Sequence, residues 1–181
     1  KRYEKHLPNT GEIVFFDRSW YTRALVEATM GYCTKRQYTY FMKNVIPWEK
    51  KQIEEGVEFF KFYLSIEKNT QQKRIDKRAT SPLVYWKISE NDLKMLDKWD
   101  AFTLYKEQMF KRTSYDEAPW IVLNANNKKV AILSALRFIL NAFDYPDKDL
   151  PKPKIWSEGL NNYKVEINKV LFENLSYQQY K

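Results

Sequence analysis

Glycine is scarce in this chain, with 4 residues among 181. A phosphate cradle or dinucleotide turn built on several glycines therefore has little to draw on. No Gly-x-Gly-x-x-Gly fingerprint, Gly-x-Ser-x-Gly elbow or His-Glu-x-x-His helix occurs. Cysteine is reduced to Cys33, which excludes an intrachain disulfide and a cysteine-based zinc cluster. With no His–Asn or His–Asp pair near it, Cys33 reads as a small packing residue and not as a nucleophile. The single histidine, His6, has no partner in the sequence and reads as an ordinary surface residue. No apolar run approaches the ~18 residues that span a bilayer as a helix. No secretory signal opens the chain, so the expected location is cytoplasmic, with no membrane partner.

What is present is apolar, aromatic and basic. Hydrophobic residues make up 44% and aromatic residues 17%, enough for a packed globular core and too apolar for a disordered chain. The net charge is +8, from 31 basic and 23 acidic residues, which favours polyanionic partners without choosing among them.

Three short apolar runs punctuate helical patterns: residues 12–17, 57–66 and 120–125. The first and last are nearly continuous, as strands of a parallel sheet covered on both faces are. Each run reaches a polar residue, Asp17, Ser65 or Asn124, at the strand end where open α/β sheets place their ligands. Thr34 and Gln37 have capping-box spacing and open a helix carrying Tyr38, Phe41, Met42, Val45 and Trp48. Pro47 predicts a kink there, or a split into two helices. Further helices are expected over about 70–79, from Ser89 to about Phe110, and over 128–143. Trp86, Trp99, Tyr105 and Phe110 read as core. Residues 146–153 form a stiff proline-rich connector. Beyond it, Tyr163, Ile167, Val170 and Leu171 suggest a short terminal helix with one apolar stripe. The domain expectation is a core over 1–145, with a helical lid at about 68–112, and a connector and tail over 146–181.

Two groups of residues suit phosphate chemistry. An apolar run that ends in Asp17 is the arrangement by which a strand aims a carboxylate at phosphate-bound Mg²⁺, and Arg18 adds a planar donor for phosphate oxygens. On its own, such an Asp is more often a helix cap paired with its neighbour. Arg74 and Arg78 are four apart and share a helix face, where their repulsion is relieved if an anion lies beside them. A solvated basic face is the simpler reading of that spacing. Lys87 either touches phosphate or lies along Trp86.

The ordered series of motifs resembles the polyphosphate kinase 2 family over roughly residues 1–143. It runs His6-Leu7-Pro8, Gly11-Glu12-Ile13-Val14, then Phe16-Asp17-Arg18-Ser19-Trp20-Tyr21 with Arg23. Met30-Gly31-Tyr32-Cys33-Thr34 and Gln37 follow, then Arg74 with Arg78, Pro82-Leu83 and Trp86-Lys87 with Ser89. Asp92, Lys98-Trp99-Asp100, Met109-Phe110, Thr113 and Ala118-Pro119-Trp120 complete it. The resemblance implies an α/β, P-loop kinase-like three-layer fold with a parallel sheet and a helical lid. It implies a phosphotransferase that moves a phosphoryl group between inorganic polyphosphate and a nucleoside diphosphate with Mg²⁺. By similarity Asp17 holds the metal, Arg18 contacts the transferring phosphates, and Arg78, with Arg74, neutralises charge from the lid. Lys87 and Arg23 match basic positions near the nucleotide or phosphate path. Thr22 stands where the family usually has Asn or an acidic residue, a position that bears on the acceptor. The Asp-Arg-Ser-Trp-Tyr wording resembles members that act on diphosphates. The family also implies a homodimer or homotetramer and no nucleic-acid partner.

The family's Walker A loop and its strand have no counterpart in this sequence. The chain alone is therefore expected to be inactive and to belong to a longer protein. Two other functions stay open at this point: an ATP-using nucleotide kinase of thymidylate-kinase type, and a non-catalytic polyanion-binding module. The basic balance of residues 68–112, 11 Lys/Arg against 6 Asp/Glu, suits all three.

Overall fold

The computed structural model describes residues 2–149, 165–167 and 169–173. The chain divides into two compact units, one from Lys1–Phe59 with Asp97–Thr113 and the other from Phe60–Leu96 with Ser114–Lys181. The boundary at residue 96 falls inside the stretch expected as the lid.

The first unit is helical. It holds α1 (Val26–Met30), α2 (Lys35–Glu54) and α5 (Trp99–Thr113). Thr34 and Gln37 form the predicted capping box, each side chain bonding the other's backbone N–H. Pro47 lies inside α2 without splitting it, so of the two outcomes expected there, a kink or two helices, the split does not occur. The helix tolerates the lost N–H because it is anchored on both sides, by buried Met42 and Val45 before Pro47 and buried Glu49 after it. It ends at Gly56, whose φ of +96° only glycine adopts cheaply and whose N–H returns to Ile53 O at 2.9 Å.

Trp20 is the hub of this unit. Its ring meets Tyr3, Phe16, Trp48 and Phe59 edge-on at centroid separations of 5.8, 5.9, 4.8 and 5.7 Å, the geometry aromatic quadrupoles prefer. Its indole N–H donates to Glu49 Oε1 at 2.8 Å, and Glu49 is fully buried. On α5, burial pushes the Lys106 ammonium below the usual lysine range, partly opposed by Glu107.

The second unit carries a four-stranded sheet in the order β1-β2-β4-β3. Its strands are β1 (Lys61–Ser65), β2 (Trp120–Asn124), β3 (Val165–Ile167) and β4 (Val170–Glu173). β1 and β4 both pair parallel to β2, and β3 closes the edge antiparallel to β4. β2 is the central strand, with Ile121, Val122 and Leu123 almost wholly buried. That accounts for its unbroken apolar run. Helix α6 (Lys128–Ala142) packs back on β2, and its Phe138 ring meets Phe60 and Phe62. The α/β architecture with a parallel sheet is as the sequence predicts. Helices α3 (Lys68–Thr80) and α4 (Glu90–Asp97) complete the described α-helices.

Three expectations are corrected. Residues 12–16 form no strand: Ile13 and Phe15 are 68% and 74% exposed, and no described strand ladders with them. Apolar content gives a segment the propensity to extend, but a strand exists only where a neighbour accepts its hydrogen bonds. The terminal "helix" is instead β3 and β4, with Lys169 at φ +64° in the turn between them. β-Branched Val165, Ile167 and Val170 favour strand over helix, and β2 offers an open ladder. Tyr163 and residues 150–153, the second half of the expected connector, lie outside the described residues. Last, the long helix expected from Ser89 breaks at Lys98 into α4 and α5.

Two stability outcomes follow from this packing. Leu123→Ala removes a fully buried side chain from the central strand and should cost roughly 2–5 kcal/mol in denaturant unfolding. Trp20→Phe keeps an aromatic ring but withdraws a donor from a buried carboxylate. It should cost about 1–3 kcal/mol in the same assay.

Candidate functional site

The first unit holds a cavity of about 810 Å³ whose wall includes Asp17, Arg18, Thr22 and Arg23. Four residues singled out in the sequence therefore share one concave surface. Local backbone chemistry places them. After the exposed segment 12–15 and half-buried Phe16 the chain turns sharply, and Arg18 takes a φ of +67°, the left-handed region that non-glycine residues rarely enter. Ser19 then caps a four-residue 3₁₀ turn, Trp20–Arg23, by accepting from Tyr21 N at 3.3 Å. Thr22 Oγ1 donates to Ser19 O at 2.9 Å, so its hydroxyl oxygen keeps acceptor capacity toward the cavity wall it lines. Buried Tyr21 pins the turn from behind, against Phe41. Asp17 and Arg18 are both solvent-exposed on the cavity rim.

The cavity is amphipathic and mainly cationic. Arg23 pairs with Glu27 through Nε at 2.9 Å, and both line the wall. Arg2, Lys5 and His6 line it too, residues for which no role was read from the sequence. His6 is exposed, as expected, yet it lies on this wall. The signal that could have found Arg2 and Lys5 is their clustering within a few residues of His6, ahead of the Asp17 segment. Aromatic Tyr3, Phe16 and Trp20 supply the apolar part of the same wall.

Mg²⁺ takes one or two carboxylates and fills the rest of its octahedron with water and substrate phosphate. A single exposed Asp17 beside a cationic cavity fits that mode. Among the described residues no group of three His, Cys, Asp or Glu side chains forms an all-protein cage.

The remaining sequence candidates are in the second unit. Arg74 and Arg78 both lie on α3, but their side chains go to different partners. Arg74 Nη2 donates to the carbonyls of Ala125 and Asn126 at 2.8 and 2.9 Å, fastening α3 to the loop after β2. Arg78 Nη1 faces Asp92 Oδ2 at 3.5 Å. The repulsion expected between these arginines is thus relieved by a separate acceptor for each. Lys87 Nζ sits 5.0 Å from the centroid of the Trp86 ring, a cation–π contact that accords with the alternative in which it lies along Trp86. Trp86 is not core: it is 68% exposed in the short 3₁₀ turn Tyr85–Lys87, its indole N–H held by Leu83 O at 3.2 Å. Phe110 is buried as expected, and Trp99 and Tyr105 are half-buried.

The positive φ at Arg18 gives a direct test of local strain. Arg18→Gly should leave the protein more stable than Arg18→Ala by about 0.5–1 kcal/mol, read as the difference in unfolding free energy between the two variants. Equal stabilities would show that the left-handed turn carries no strain.

Known proteins converge on one family. The polyphosphate kinase 2 family model matches residues 1–151. A polyphosphate kinase, PPK2B, of Corynebacterium glutamicum is 43% identical over 164 residues, covering 88% of this chain and 54% of that protein. A GDP-polyphosphate phosphotransferase of Pseudomonas aeruginosa is 45% identical over 149 residues, covering 82% of this chain and 42% of that protein. The crystal structure of polyphosphate kinase 2 from Arthrobacter aurescens superposes with a TM-score of 0.73 at 30% identity, covering 83% of this chain and 55% of that one. The chain spans about half the length of the curated relatives it matches. By motif order, sequence and fold, the chain belongs to the polyphosphate kinase 2 family.

Proposed function

We propose that the protein containing this chain is a Mg²⁺-dependent phosphotransferase that moves a phosphoryl group between inorganic polyphosphate and a nucleoside diphosphate. The observation that carries this reading is the shared cavity of Asp17, Arg18, Thr22 and Arg23, in a chain whose relatives are named for GDP-, NDP- and ADP-polyphosphate phosphotransfer. Phosphoryl transfer leaves a protein little covalent work. It asks for positioned cations and in-line alignment of the reacting oxygens. A cavity edged by Arg2, Lys5, Arg18 and Arg23 supplies fixed positive charge for a polyanion.

In this reading Asp17 is the protein ligand of the metal, and Thr22 orients the acceptor through its hydroxyl. Bound Mg²⁺ would neutralise charge on the phosphate oxygens during transfer. Arg18, exposed on the cavity rim, donates its planar fork to phosphate oxygens, a geometry lysine cannot copy. Arg78 contributes from α3 a second guanidinium that meets the charge developing on the transferring group. Arg74, already bonded to two carbonyls, mainly fixes the helix that carries Arg78.

The test is donor choice in the full-length protein. With Mg²⁺, it should make ATP or GTP from the diphosphate and polyphosphate. Phosphorylation of a nucleotide from ATP, without turnover on polyphosphate, would support an ATP-using kinase instead. Binding of polyphosphate with no turnover would support a polyanion-binding module. Arg78→Ala should lower kcat by about tenfold or more with little change in Tm, since its ion pair with Asp92 is long, at 3.5 Å, and partly exposed, and such pairs add little stability. Asp17→Asn should move the Mg²⁺ titration of activity to higher concentration; an unchanged titration would make Asp17 structural.

A further inference from the structure

Asp92 has no role in the reading so far, yet it is the residue that Arg78 faces. Its carboxylate is held in place by its own helix start. Oδ2 accepts from the backbone N–H and the hydroxyl of Ser89, each at 3.0 Å, and Asp92 N donates back to Ser89 Oγ at 3.2 Å. This reciprocal pair forms a cap on the first turn of α4. The same Oδ2 lies 3.5 Å from Arg78 Nη1. The oxygen is therefore fixed by α4, and the guanidinium reaches it from α3.

The length of that contact matters. A charge-assisted N–H···O bond closes to about 2.7–2.9 Å, so at 3.5 Å Arg78 is guided more than clamped. Both side chains are about one-third exposed, at 34% and 33%, which makes the pair weak as a source of stability. Weak for stability and fixed in direction is the profile of an orienting contact. Arginine has five N–H donors in a rigid fork. A carboxylate engaging Nη1 sets the plane of the fork while its other edge stays able to donate to phosphate oxygens.

We propose that Asp92 is a positioning residue: anchored by Ser89, it aligns the Arg78 guanidinium for the phosphoryl group in transit. The inference rests on the phosphotransferase reading of this family member and adds a residue to it. It also gives the Ser89–Asp92 cap a second task, because the bonds that start α4 hold the oxygen that aims Arg78.

The test is a double-mutant cycle in the full-length protein with polyphosphate and a nucleoside diphosphate. Asp92→Asn keeps an oxygen that can accept from Ser89 and removes the charge that orients Arg78. It should lower kcat about 5- to 20-fold, with KM for the nucleotide and Tm essentially unchanged. In an Arg78→Ala background the same substitution should cost less than about twofold, because its target is gone. Asp92→Glu should recover part of the lost kcat, and Ser89→Ala, which frees the carboxylate, should also lower kcat. Equal losses in the two backgrounds, or a loss that tracks a fall in Tm, would overturn the proposal and leave Asp92 as a helix cap. An inactive wild-type protein would instead reject the phosphotransferase reading. An active wild type with a fully active Asp92→Asn variant would reject this inference alone.

Discussion

A single hydrogen bond inside the helical unit, from the Trp20 indole to the buried Glu49 carboxylate, constrains much else. A fully buried carboxylate is costly unless donors meet it. Glu49 lies beyond the proline in α2, and Trp20 lies in the turn that follows Asp17 and Arg18. The bond therefore ties a long helix to the segment bearing the cavity residues. Four aromatic rings set edge-on around the indole fix its direction. Within this frame a left-handed Arg18 becomes tolerable: the chain must leave the exposed segment and enter the 3₁₀ turn within a few residues, and the turn is pinned by buried Tyr21.

In the sheet-bearing unit the organising contact is the parallel ladder of β1 and β2, from Lys61 with Trp120 to Ser65 with Asn124. Ladder register decides where each strand stops, so Ser65 and Asn124 finish side by side and the chains beyond them begin at the same level. Ala125 N donates to Ser65 O at 2.7 Å just past the ladder, and Arg74 closes on the Ala125 and Asn126 carbonyls. The helix carrying Arg78 is thus indexed to the strand ends. Its tip is steered separately, by the capped Asp92.

The sequence made some of this legible and hid the rest for identifiable reasons. β2 could be read because a central parallel strand is apolar on both faces. The capping box at Thr34 could be read because its signal is local. Asp17 and Arg18 were singled out by the apolar run that precedes them and then by motif order, and Thr22 and Arg23 by motif order alone; charge spacing is equally compatible with a solvated surface. Residues 12–16 misled because apolar content reports propensity and not the presence of a pairing neighbour. Val165 to Leu171 misled because a few apolar residues fit a helical stripe as well as a hairpin, and β2's open ladder decided between them. The partners of Arg74 and Arg78 were hidden because helix periodicity gives the shared face but not the direction of long side chains. Arg2 and Lys5 were missed because their clustering near His6 carries no chemistry until the fold places them on the cavity wall.

The exposed stretch of Ile13, Val14 and Phe15 also has a colloidal meaning. An exposed apolar run that pairs with no strand among the described residues is a template on which another strand can add. It sits immediately before Asp17 and Arg18, so whatever adds to that run would also crowd the rim of the cationic cavity. In solutions of the isolated chain, concentration is therefore a chemical variable: crowding the molecules would cover the cationic rim and lower solubility through the same few residues.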